Sequence, residues 1–357
     1  MVRVVPGIAV APPSLALIAE RVEERIRVLL DAELERWSAV DPDLGEPFAA
    51  LRDLVLAGGK RLRPAFCQWA YVGAGGRAED AAVIDAGAAL ELLHTFALVH
   101  DDIMDGSATR RGTDTIHVQF EAAHTMGGWR GEARRFGEGV GILVGDLAFV
   151  YADRLLAGAP ADALEVFTEL RIEVNVGQYL DLLGTVRGQV SEGTARRISR
   201  FKSGKYTVER PLHLGAALAG RLDALAGPLS AYGLPLGEAF QLRDDLLGVF
   251  GDGDVTGKPV GEDLREGKPT LLHAMAVDRA SAGDASVLAR YGAADLDDDD
   301  VVALQDVLLS TGAVEAVEGD IDRLVGEAVD ALDVAELDAS ARQALTELAY
   351  YVAGRDR

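Results

Sequence analysis

The sequence predicts an all-α protein that folds as a single-domain helical bundle. Apolar residues recur at helical spacing along most of the 357 residues, and no segment shows the alternation of a strand or the rhythm of βαβ units. Ala, Leu, Gly and Val dominate, and aromatic residues make up only 6%, which favours helices that pack closely. With 49% hydrophobic residues, the chain can bury a sizeable core.

The predicted helices follow one another without an obvious linker. We therefore expect one domain over 1–357, with a loose N-terminal segment over 1–14. Two segments lack periodicity and are interpreted as loops: 123–139, which is rich in Gly and Arg, and 251–270, which is long enough to expect a function. The predicted helices are 15–38, a second ending near 56, one resuming at 63–64, then 80–105, 139–157, 161–185, 191–203, 206–220, 229–250 and, with short breaks, 269–354.

Charge and cysteine content exclude several classes of partner and location. The net charge of −23 and the pI near 4.6 argue against nucleic acid or an anionic membrane surface as a partner. The single cysteine, Cys67, rules out an intrachain disulfide and suits the reducing cytoplasm. We expect no signal peptide, and no stable membrane insertion because no uncharged apolar run approaches the ~18 residues of a membrane span.

Three aspartates follow an apolar helical pattern in the segment HDDIMDGSATRRG, residues 100–112. Asp101 and Asp105 are four positions apart, so on a helix they share one face and repel each other. No histidine or cysteine stands at the spacing of a transition-metal site, and ligands that are all oxygen favour Mg²⁺. Considered alone, this motif is equally compatible with a polar helix end.

A second aspartate pair, Asp244 and Asp245, again stands late in an apolar helical pattern. Two such helix ends that face one cavity could hold a cluster of Mg²⁺ bridged by a diphosphate. The longer acidic run at 295–300 differs, because it precedes an apolar helical pattern. It is interpreted as a solvated helix start, where aspartate is favoured.

The chain has only five lysines, and all of them lie in Gly-flanked clusters or loops: Lys60, Lys202, Lys205, Lys258 and Lys268. The segment Gly58-Gly-Lys-Arg-Leu-Arg63 combines flexible backbone with three positive charges, as an anion site requires. Taken singly, each cation is more typical of a solvated surface. Together with the acidic motifs, they predict an anion-binding pocket.

Several of these motifs resemble those of the trans-isoprenyl diphosphate synthases (polyprenyl synthetases), closest to the short-chain geranylgeranyl and farnesyl synthases. They occur in the family's order and spacing from about residue 58 to 270: GGKRLRP, ELLHTFALVHDDIMD, RRG, FKSGKY, FQLRDDLLGVFGD and GKPVGEDLREGKPT. The helical flanks extend the likeness over nearly the whole chain. The resemblance implies an isoprenoid-synthase bundle around a deep central cavity, three Mg²⁺ per active site, and a homodimer.

The resemblance also implies roles for individual positions. Asp101 and Asp105 would hold Mg²⁺ and Asp102 would support them, while Asp244 would hold a third Mg²⁺ with Asp245 nearby. The isopentenyl diphosphate pocket would comprise Lys60, Arg63, His94 and Arg111. The allylic diphosphate clamp would comprise Arg110, Lys202, Ser203, Gln241, Lys258 and Lys268. The catalytic set would be Asp101, Asp102, Asp105, Arg110, Lys202 and Lys258, and Lys205 matches no position to which the family pattern assigns a role.

The implied reaction is an ionisation, a condensation and an elimination. Loss of the diphosphate from the allylic substrate leaves a carbocation, which the alkene of isopentenyl diphosphate attacks before a proton is lost. Apolar helix walls would exclude water from the cation. One departure from the family pattern is Gly248, which replaces the last aspartate of the second motif, although Asp252 lies a further turn on. We expect activity, with weaker metal binding on that wall.

The residues before the first acidic motif bear on product length. Ala97 and Phe96 precede Asp101 by four and five positions, which is about 6 and 7.5 Å along a helix axis. We expect the growing prenyl chain to run along this helix towards its N-terminus. By resemblance, a bulky residue at the fifth position with a small one at the fourth is typical of a geranylgeranyl (C20) synthase. Farnesyl (C15) and longer products are the alternatives.

Three other functions share part of this pattern. A class I terpene cyclase also ionises a prenyl diphosphate, but GGKRLRP and Asp244-Asp245 argue against it. A His-Asp phosphohydrolase, suggested by His100-Asp101, needs further histidine ligands that His94 alone does not supply. A non-catalytic subunit of a heteromeric synthase is the alternative that is not an enzyme.

Overall fold

The computed structural model describes residues 11–187, 191–251 and 261–354, and within these ranges almost every element is a helix. Their only strands are β1 (Thr109–Arg110) and β2 (Thr113–Asp114), which pair antiparallel. The predicted all-α fold is confirmed. The helices are α1 (Pro13–Ser38), α2 (Gly45–Leu56), α3 (Leu62–Gly73), α4 (Ala81–Asp105), α5 (Ile116–Gly127), α6 (Ala133–Leu156), α7 (Ala161–Arg187), α8 (Glu192–Ser199), a π-helix (Arg200–Glu209), α9 (Arg210–Leu218), α10 (Leu222–Phe250), α11 (Glu262–Glu266), α12 (Leu271–Arg279), α13 (Ala282–Leu288), α14 (Asp298–Ser310), α15 (Ala313–Ala331) and α16 (Ala339–Gly354).

The predicted loose N-terminal segment, 1–14, is helical at its last two residues. The helix α1 begins at Pro13, where proline suits a first turn, so two residues of the segment 1–14 are helical. Residues 1–10 lie outside the described part of the chain. Leu15, Ile18 and Val22 are buried in the common core, which explains why helical order begins this early.

The central helix α4 carries the first acidic motif at its C-terminal end. It packs against α1, α2, α3, α6 and α9, and its residues 86–93 are buried on every side. By length and composition α4 could cross a membrane. This finding differs from the expectation that no apolar run of the chain approaches the length of a membrane span. However, 67% of its most apolar window is buried by neighbouring helices, as expected for a helix that is hydrophobic all round at the centre of a bundle.

The predicted loop over 123–139 is wrong, because most of it is helical. The helix α5 continues to Gly127, and α6 begins at Ala133. Gly137, Gly141 and Gly145 recur every four residues on one buried face of α6, where small residues allow close packing against α4 and α5. Only Gly137 lies in the segment predicted as a loop, whereas Gly141 and Gly145 lie in the helix predicted over 139–157.

The chain is helical without interruption from Glu192 to Leu218, so the predicted break near 204 is wrong. The π-helix joins α8 directly to α9, and its Gly204 lies in backbone contact with Gly237 of α10. The helix α10 starts at Leu222, seven residues earlier than predicted, and continues through Pro228 and Pro235. Burial of one side of α10 outweighs the unfavourable prolines there.

The predicted irregular segment 251–270 is described only in part. Residues 252–260, which include Asp252 and Lys258, lie outside the described ranges, so the expectations for these two residues stay predictions. From Gly261 onward the chain forms α11, and the fully buried Leu264 anchors that helix to the core. The acidic run at 295–300 starts α14, as predicted: Asp297 caps that helix and Asp300 completes a capping box.

Candidate active site

Two adjoining cavities lie between the C-terminal ends of α4 and α10, with the π-helix forming a common wall. The first has a volume of about 470 Å³ and extends to α11, and the second, of about 380 Å³, extends to α3. Residues that line both are Lys60, Asp101, Lys202, Ser203 and Asp244. Predicted site residues that line only the first are Arg110, Gln241, Asp245 and Lys268, and those that line only the second are Arg63, His94, Ala97 and Arg111.

Asp101 is the carboxylate of the first motif that points into the cavities. It accepts hydrogen bonds from Gln178 Nε2 at 2.8 Å and from Lys202 Nζ at 3.3 Å, and Arg110 Nη2 lies 3.8 Å away. Burial disfavours its ionised form, but the charges of Lys202 and Arg110 lower the pKa of Asp101 below its usual range. Asp101 is therefore ionised and available to a cation.

Asp105 lies one turn further on the same face and does not line either cavity. Burial and the nearby charge of Asp101 raise the pKa of Asp105 to about 6. The two carboxylates thus repel each other, as the i,i+4 spacing predicted.

Asp102 points away from this face and is buried, with 2% of its surface exposed. Its Oδ1 accepts a hydrogen bond from Arg110 Nε at 2.7 Å, and Nη2 of the same guanidinium lies 2.5 Å away in an ion pair. This charge-assisted hydrogen bond and ion pair hold the guanidinium at the first cavity. Asp102 acts through Arg110 in this arrangement.

The two consecutive arginines are directed to different cavities by the short hairpin β1–β2. Arg110 extends to the first cavity, whereas Arg111 adopts a left-handed conformation with φ of 54° and extends to the second. Arg111 Nη1 donates to the carbonyl of Gly58, which ties the hairpin to the Gly-rich segment before α3. Burial and neighbouring arginines lower the pKa of Arg111, so this wall of the second cavity favours an anion.

The second acidic motif lies at the end of α10 on the opposite wall. Asp244 lines both cavities, while Asp245 is buried and accepts a hydrogen bond from Gln241 Nε2 at 2.7 Å. Burial raises the pKa of Asp245 to about 8, and the charges of Asp263 and Asp244 add to the effect. This wall therefore concentrates acidic groups that a cation would relieve.

Lys202 stands between the carboxylates of Asp101 and Asp181. Its Nζ lies 2.6 Å from Asp181 Oδ2, and although burial opposes it, these two charges raise the pKa of Lys202. The π-helix that carries it fits tightly on α7: an ideal Cβ at Gly177 would lie 2.4 Å from the backbone nitrogen of Lys202. Local π-helical geometry is frequently found at functional sites.

Gln178 and Asp181 are site residues that the sequence analysis missed. Both lie on the face of α7 that meets the cavities, where each contacts a predicted site residue. The signal available in the sequence was a Gly177-Gln178 pair followed three residues later by Asp181 in a largely apolar helix. That spacing places the amide and the carboxylate on one helix face.

The second cavity combines cations with a neutral histidine. Arg63 donates to Thr207 Oγ1 at 3.0 Å, and its guanidinium lies 4.3 Å from the ring centre of Tyr206. Burial and the surrounding arginines lower the pKa of His94 well below its usual range, and its Nδ1 lies 3.3 Å from the Tyr206 hydroxyl. Arg61, counted among the three cations of GGKRLRP, is instead buried in ion pairs with Glu23 and Glu91.

The remaining lysines differ in position. Lys268 lies in the first cavity between Asp263, at 3.0 Å, and Glu266, at 2.7 Å. Lys205 lies away from both cavities and forms an ion pair with Glu173, which also binds Arg210. Thus Lys205, to which the resemblance gave no role, belongs to a partly buried ion-pair network behind the site.

Ala97 and Phe96 face different surroundings on α4. Ala97 lines the second cavity together with Leu98, Val174 and Phe240, which form an apolar wall next to the cations. The ring of Phe96 packs against Phe149 of α6, at 4.9 Å between ring centres, and against His100 at 4.5 Å. Phe96 does not line either cavity.

The donor set of the first cavity fits a hard divalent cation. Its acidic groups offer only carboxylate oxygens, which Mg²⁺ prefers. Within the described ranges, no three His, Cys, Asp or Glu side chains converge closely enough to hold a metal by themselves. This pattern suits a cation that also takes ligands from water and a phosphorylated substrate.

Fold and site together define a class of enzyme: helical bundles that bind a diphosphate between two acidic helix ends surrounded by cations. The sequence model of one family, polyprenyl synthetase, matches residues 47–308, and the chain belongs to this family. It is accordingly a trans-prenyltransferase that acts on isoprenoid diphosphates and uses a divalent metal ion.

Individual relatives support this assignment. The geranylfarnesyl diphosphate synthase of Aeropyrum pernix is 32% identical over 92% of this chain and 99% of its own length. The geranylgeranyl diphosphate synthase of Sulfolobus acidocaldarius is 36% identical over 66% of this chain and 68% of its own. A crystal structure of geranylgeranyl pyrophosphate synthase from Corynebacterium glutamicum, complexed with isoprenyl diphosphate and magnesium, superposes with a TM-score of 0.91 at 38% identity and covers 96% of this chain and 99% of that one.

Proposed function

We propose that this protein condenses isopentenyl diphosphate with an allylic diphosphate in a Mg²⁺-dependent reaction and that its main product is geranylgeranyl diphosphate. The observation that carries the proposal is the position of Asp101 and Asp244. These carboxylates come from the ends of two different helices and line both cavities, with Lys60 and Lys202 beside them. Acidic walls with interleaved cations match a diphosphate bound together with divalent ions.

The first cavity binds the allylic diphosphate. Lys202, Arg110 and Lys268 line this cavity with positive charge, together with Ser203 and Gln241. Three Mg²⁺, held by Asp101, Asp105 and Asp244 with Asp245 nearby, would neutralise the charge that develops on the leaving diphosphate. Lys258 is assigned to the same clamp by resemblance alone.

The second cavity binds isopentenyl diphosphate. Lys60, Arg63 and Arg111 supply positive charge, and His94, which is neutral, has one ring N–H that can donate a hydrogen bond to a phosphate oxygen. The apolar side of this cavity, at Ala97 and Phe240, places hydrocarbon rather than water next to the reacting carbons.

The residues perform the reaction by binding, orientation and charge stabilisation. Heterolysis of the bond between C1 of the allylic substrate and oxygen gives its electron pair to the diphosphate, near Lys202 and Arg110. The alkene of isopentenyl diphosphate then bonds to C1 of the allylic substrate. Loss of a proton from C2 of the isopentenyl unit restores a double bond. The departing diphosphate accepts that proton, so no side-chain base is needed.

The proposal of a C20 product rests on α4 and on the similarity to synthases that carry this name. The small Ala97 leaves the apolar side of the second cavity open, and Phe96 and Phe149 form an aromatic layer behind it. The relative from Aeropyrum pernix is named for geranylfarnesyl diphosphate, so the names of relatives alone do not fix product length.

We also propose that the protein is a homodimer. The helices α6 and α7 expose an apolar stripe in which large hydrophobic side chains are 44–64% exposed, a pattern typical of an interface. Its residues are Ile142, Leu143, Val150, Ile172, Val176 and Tyr179.

One assay tests the reaction directly. The purified protein is incubated with Mg²⁺, isopentenyl diphosphate and, separately, C5, C10 and C15 allylic primers. We expect elongation of each primer to a C20 diphosphate with release of one pyrophosphate per condensation. A hydrocarbon product would indicate a cyclase, release of phosphate alone a phosphohydrolase, and no reaction a non-catalytic subunit, and each of these results contradicts the proposal.

A further inference from the structure

The buried side chain of Arg61 connects three helices at the start of α3. Its Nε donates to Glu23 of α1 at 3.0 Å, its Nη1 to Glu91 of α4 at 2.5 Å, and its Nη2 to the carbonyl of Val55 of α2 at 2.6 Å. Arg61 borders the second cavity, but only 1% of its side chain is exposed. Each guanidinium nitrogen already has a protein oxygen as acceptor, so this cation is not offered to a ligand.

Glu91 is the partner of Arg61 that also borders the second cavity. Its side chain is 3% exposed, and its Oε2 makes the ion pair with Arg61. Among the described residues, its buried Oε1 has no hydrogen-bond partner. A carboxylate has the wrong charge for a cavity that binds a diphosphate, and it is costly to bury without a counterion. Its presence here therefore depends on Arg61.

Arg111 is a second guanidinium close to this ion pair. An ideal Cβ built at Gly59 would lie 3.2 Å from Nη2 of Arg111 and 3.4 Å from Nη1 of Arg61, so the two groups approach one point. Burial and the charge of Arg61 lower the pKa of Arg111, and the charge of Glu91 opposes this shift. Glu91 thus has two arginines within electrostatic reach, and it is bonded to Arg61.

We propose that Arg61 is a positioning residue for the second cavity: it engages the carboxylate of Glu91 and thereby leaves Arg111 directed at the diphosphate of isopentenyl diphosphate. Arg61 does not contact the substrate itself. Without Arg61, the buried carboxylate of Glu91 would lose its counterion and would draw Arg111 into an ion pair. This inference rests on the proposed function and deepens it.

A competing role for Arg61 is to hold α1, α2 and α4 together and nothing more. Glu23 offers a matched control for that role, because it is the other carboxylate bonded to Arg61 but does not line either cavity. If Arg61 only connected helices, neutralising Glu23 or Glu91 in a variant that lacks Arg61 would have the same effect. If Arg61 keeps Arg111 available, only the neutralisation of Glu91 matters.

The experiment measures kcat, KM for isopentenyl diphosphate and KM for the allylic primer with the full-length enzyme at saturating Mg²⁺. For Arg61→Gln we expect KM for isopentenyl diphosphate to rise by about tenfold or more, because a charge-assisted hydrogen bond to the diphosphate is lost. We expect kcat and KM for the primer to stay within about threefold of the wild type, since Arg61, Glu91 and Arg111 do not line the first cavity. An unchanged KM for isopentenyl diphosphate, or an equal rise for both substrates, overturns the proposal.

Two double variants separate the two roles. Combining Arg61→Gln with Glu91→Gln removes the carboxylate that competes for Arg111, so KM for isopentenyl diphosphate should return to within about threefold of the wild type. Combining Arg61→Gln with Glu23→Gln should leave this KM raised, because Glu23 does not face the cavity. The proposal is wrong if Glu91→Gln gives no rescue or if both double variants are rescued equally.

Arg61→Lys keeps the test decisive if Arg61→Gln does not fold. Lysine retains a positive charge beside Glu91, but it cannot reach three acceptors with the planar geometry of a guanidinium. We therefore expect a lower melting temperature, with KM for isopentenyl diphosphate within about threefold of the wild type. A rise of about tenfold or more in this variant would show that Arg61 acts through its bonds to the helices, which contradicts the proposal.

Failure of the proposed function would look different. A wild type that elongates no primer rejects the proposed function and this inference together. A wild type that is active, combined with an unaffected Arg61→Gln variant, rejects only the role of Arg61.

Discussion

The ammonium group of Lys202 lies 3.3 Å from the carboxylate of Asp101 and joins the π-helix to the end of α4 between the two cavities. Asp181 holds the same ammonium from α7 at 2.6 Å. A diphosphate that enters the first cavity therefore meets a lysine already directed into the site and already charged. Such preorganised charge costs little reorganisation when negative charge develops on a leaving group.

The first prediction concerns Lys202→Gln, which removes this charge. We expect kcat to fall by about 10²–10³-fold, the usual effect of losing one group that stabilises a developing anion. Because Lys202 lowers the pKa of Asp101, the variant should also lose activity at higher pH than the wild type as the medium is acidified. The measurement is kcat as a function of pH with a fixed primer and saturating Mg²⁺.

Lys205→Gln provides the control for Lys202→Gln. The two lysines lie on the same π-helix, but Lys205 contacts Glu173 and lies away from both cavities. We expect little change in kcat, within about threefold, and no shift of the acid limb. Equal losses in the two variants would mean that Lys202 acts through the stability of the π-helix and not through its charge in the site.

The second prediction concerns product length. Ala97 lines the second cavity, so Ala97→Phe should place a ring in the path of the growing chain and shift the main product from C20 to C15. Phe96→Ala should lengthen the product, because it opens space between α4 and Phe149. Chromatography with mass spectrometry of the dephosphorylated products gives the chain lengths.

Trp129→Ala is the control for these two variants, because Trp129 packs against His124 and Phe136 and does not line either cavity. Its product distribution should match that of the wild type. An unchanged product distribution in Phe96→Ala would show that this ring does not limit the length of the prenyl chain. Ala97 would then be the remaining residue of α4 to test.

The third prediction concerns assembly. Leu143 lies in the exposed stripe of α6 and α7 and is 63% exposed, so Leu143→Arg should place a charge in the proposed dimer interface. We expect the dissociation constant of the dimer to rise by about 100-fold or more, measured by light scattering over a dilution series. Leu309→Arg on α14 is the control, because it makes the same substitution at a leucine that is 54% exposed and lies outside the stripe. The mass measured by light scattering should not change in this variant. A monomeric wild type would contradict the proposed homodimer.

The parts of the site that depend on local spacing could be predicted from the sequence. Asp101 and Asp105 share a face of α4 because they are four positions apart, and that relation needs no knowledge of the tertiary fold. The pair Asp244 and Asp245 was recognised in the same way. The burial of individual side chains could not be predicted from local spacing. Asp102 is buried and bonded to Arg110, and burial raises the pKa of Asp245.

The parts that depend on contacts between distant segments were missed. Gln178 reaches Asp101 only because Gly177 lets α7 approach the π-helix closely, and no local pattern specifies that contact. Asp263 belongs to a segment that was predicted to be irregular, so its position beside Gly248 became apparent only from the structure. The error over 123–139 has a related cause: the segment was interpreted as a loop because it is rich in Gly and Arg, but Gly137 packs closely against α5 on the buried face of α6.

The fourth prediction concerns the pH dependence of stability in the presence of a chelator. The pKa of Asp245 is raised from 3.8 to about 8, so the folded state binds this proton where the unfolded chain has released it. The free energy of unfolding should therefore fall as the pH rises from about 4 to 8. Asp245→Asn removes this penalty and should be more stable than the wild type at about pH 9, by on the order of a few kcal/mol, with little difference at about pH 4.

Asp105→Asn separates this effect from a general loss of negative charge. The pKa of Asp105 is raised only to about 6, so the gain in stability for this variant should be complete by about pH 7. For Asp245→Asn the gain should continue to grow up to about pH 9. Urea unfolding of the wild type and both variants at several pH values measures the two windows. Burial raises the pKa of both groups, but Asp245 is the more deeply buried of the two, so the same pH dependence for both gains would contradict this account.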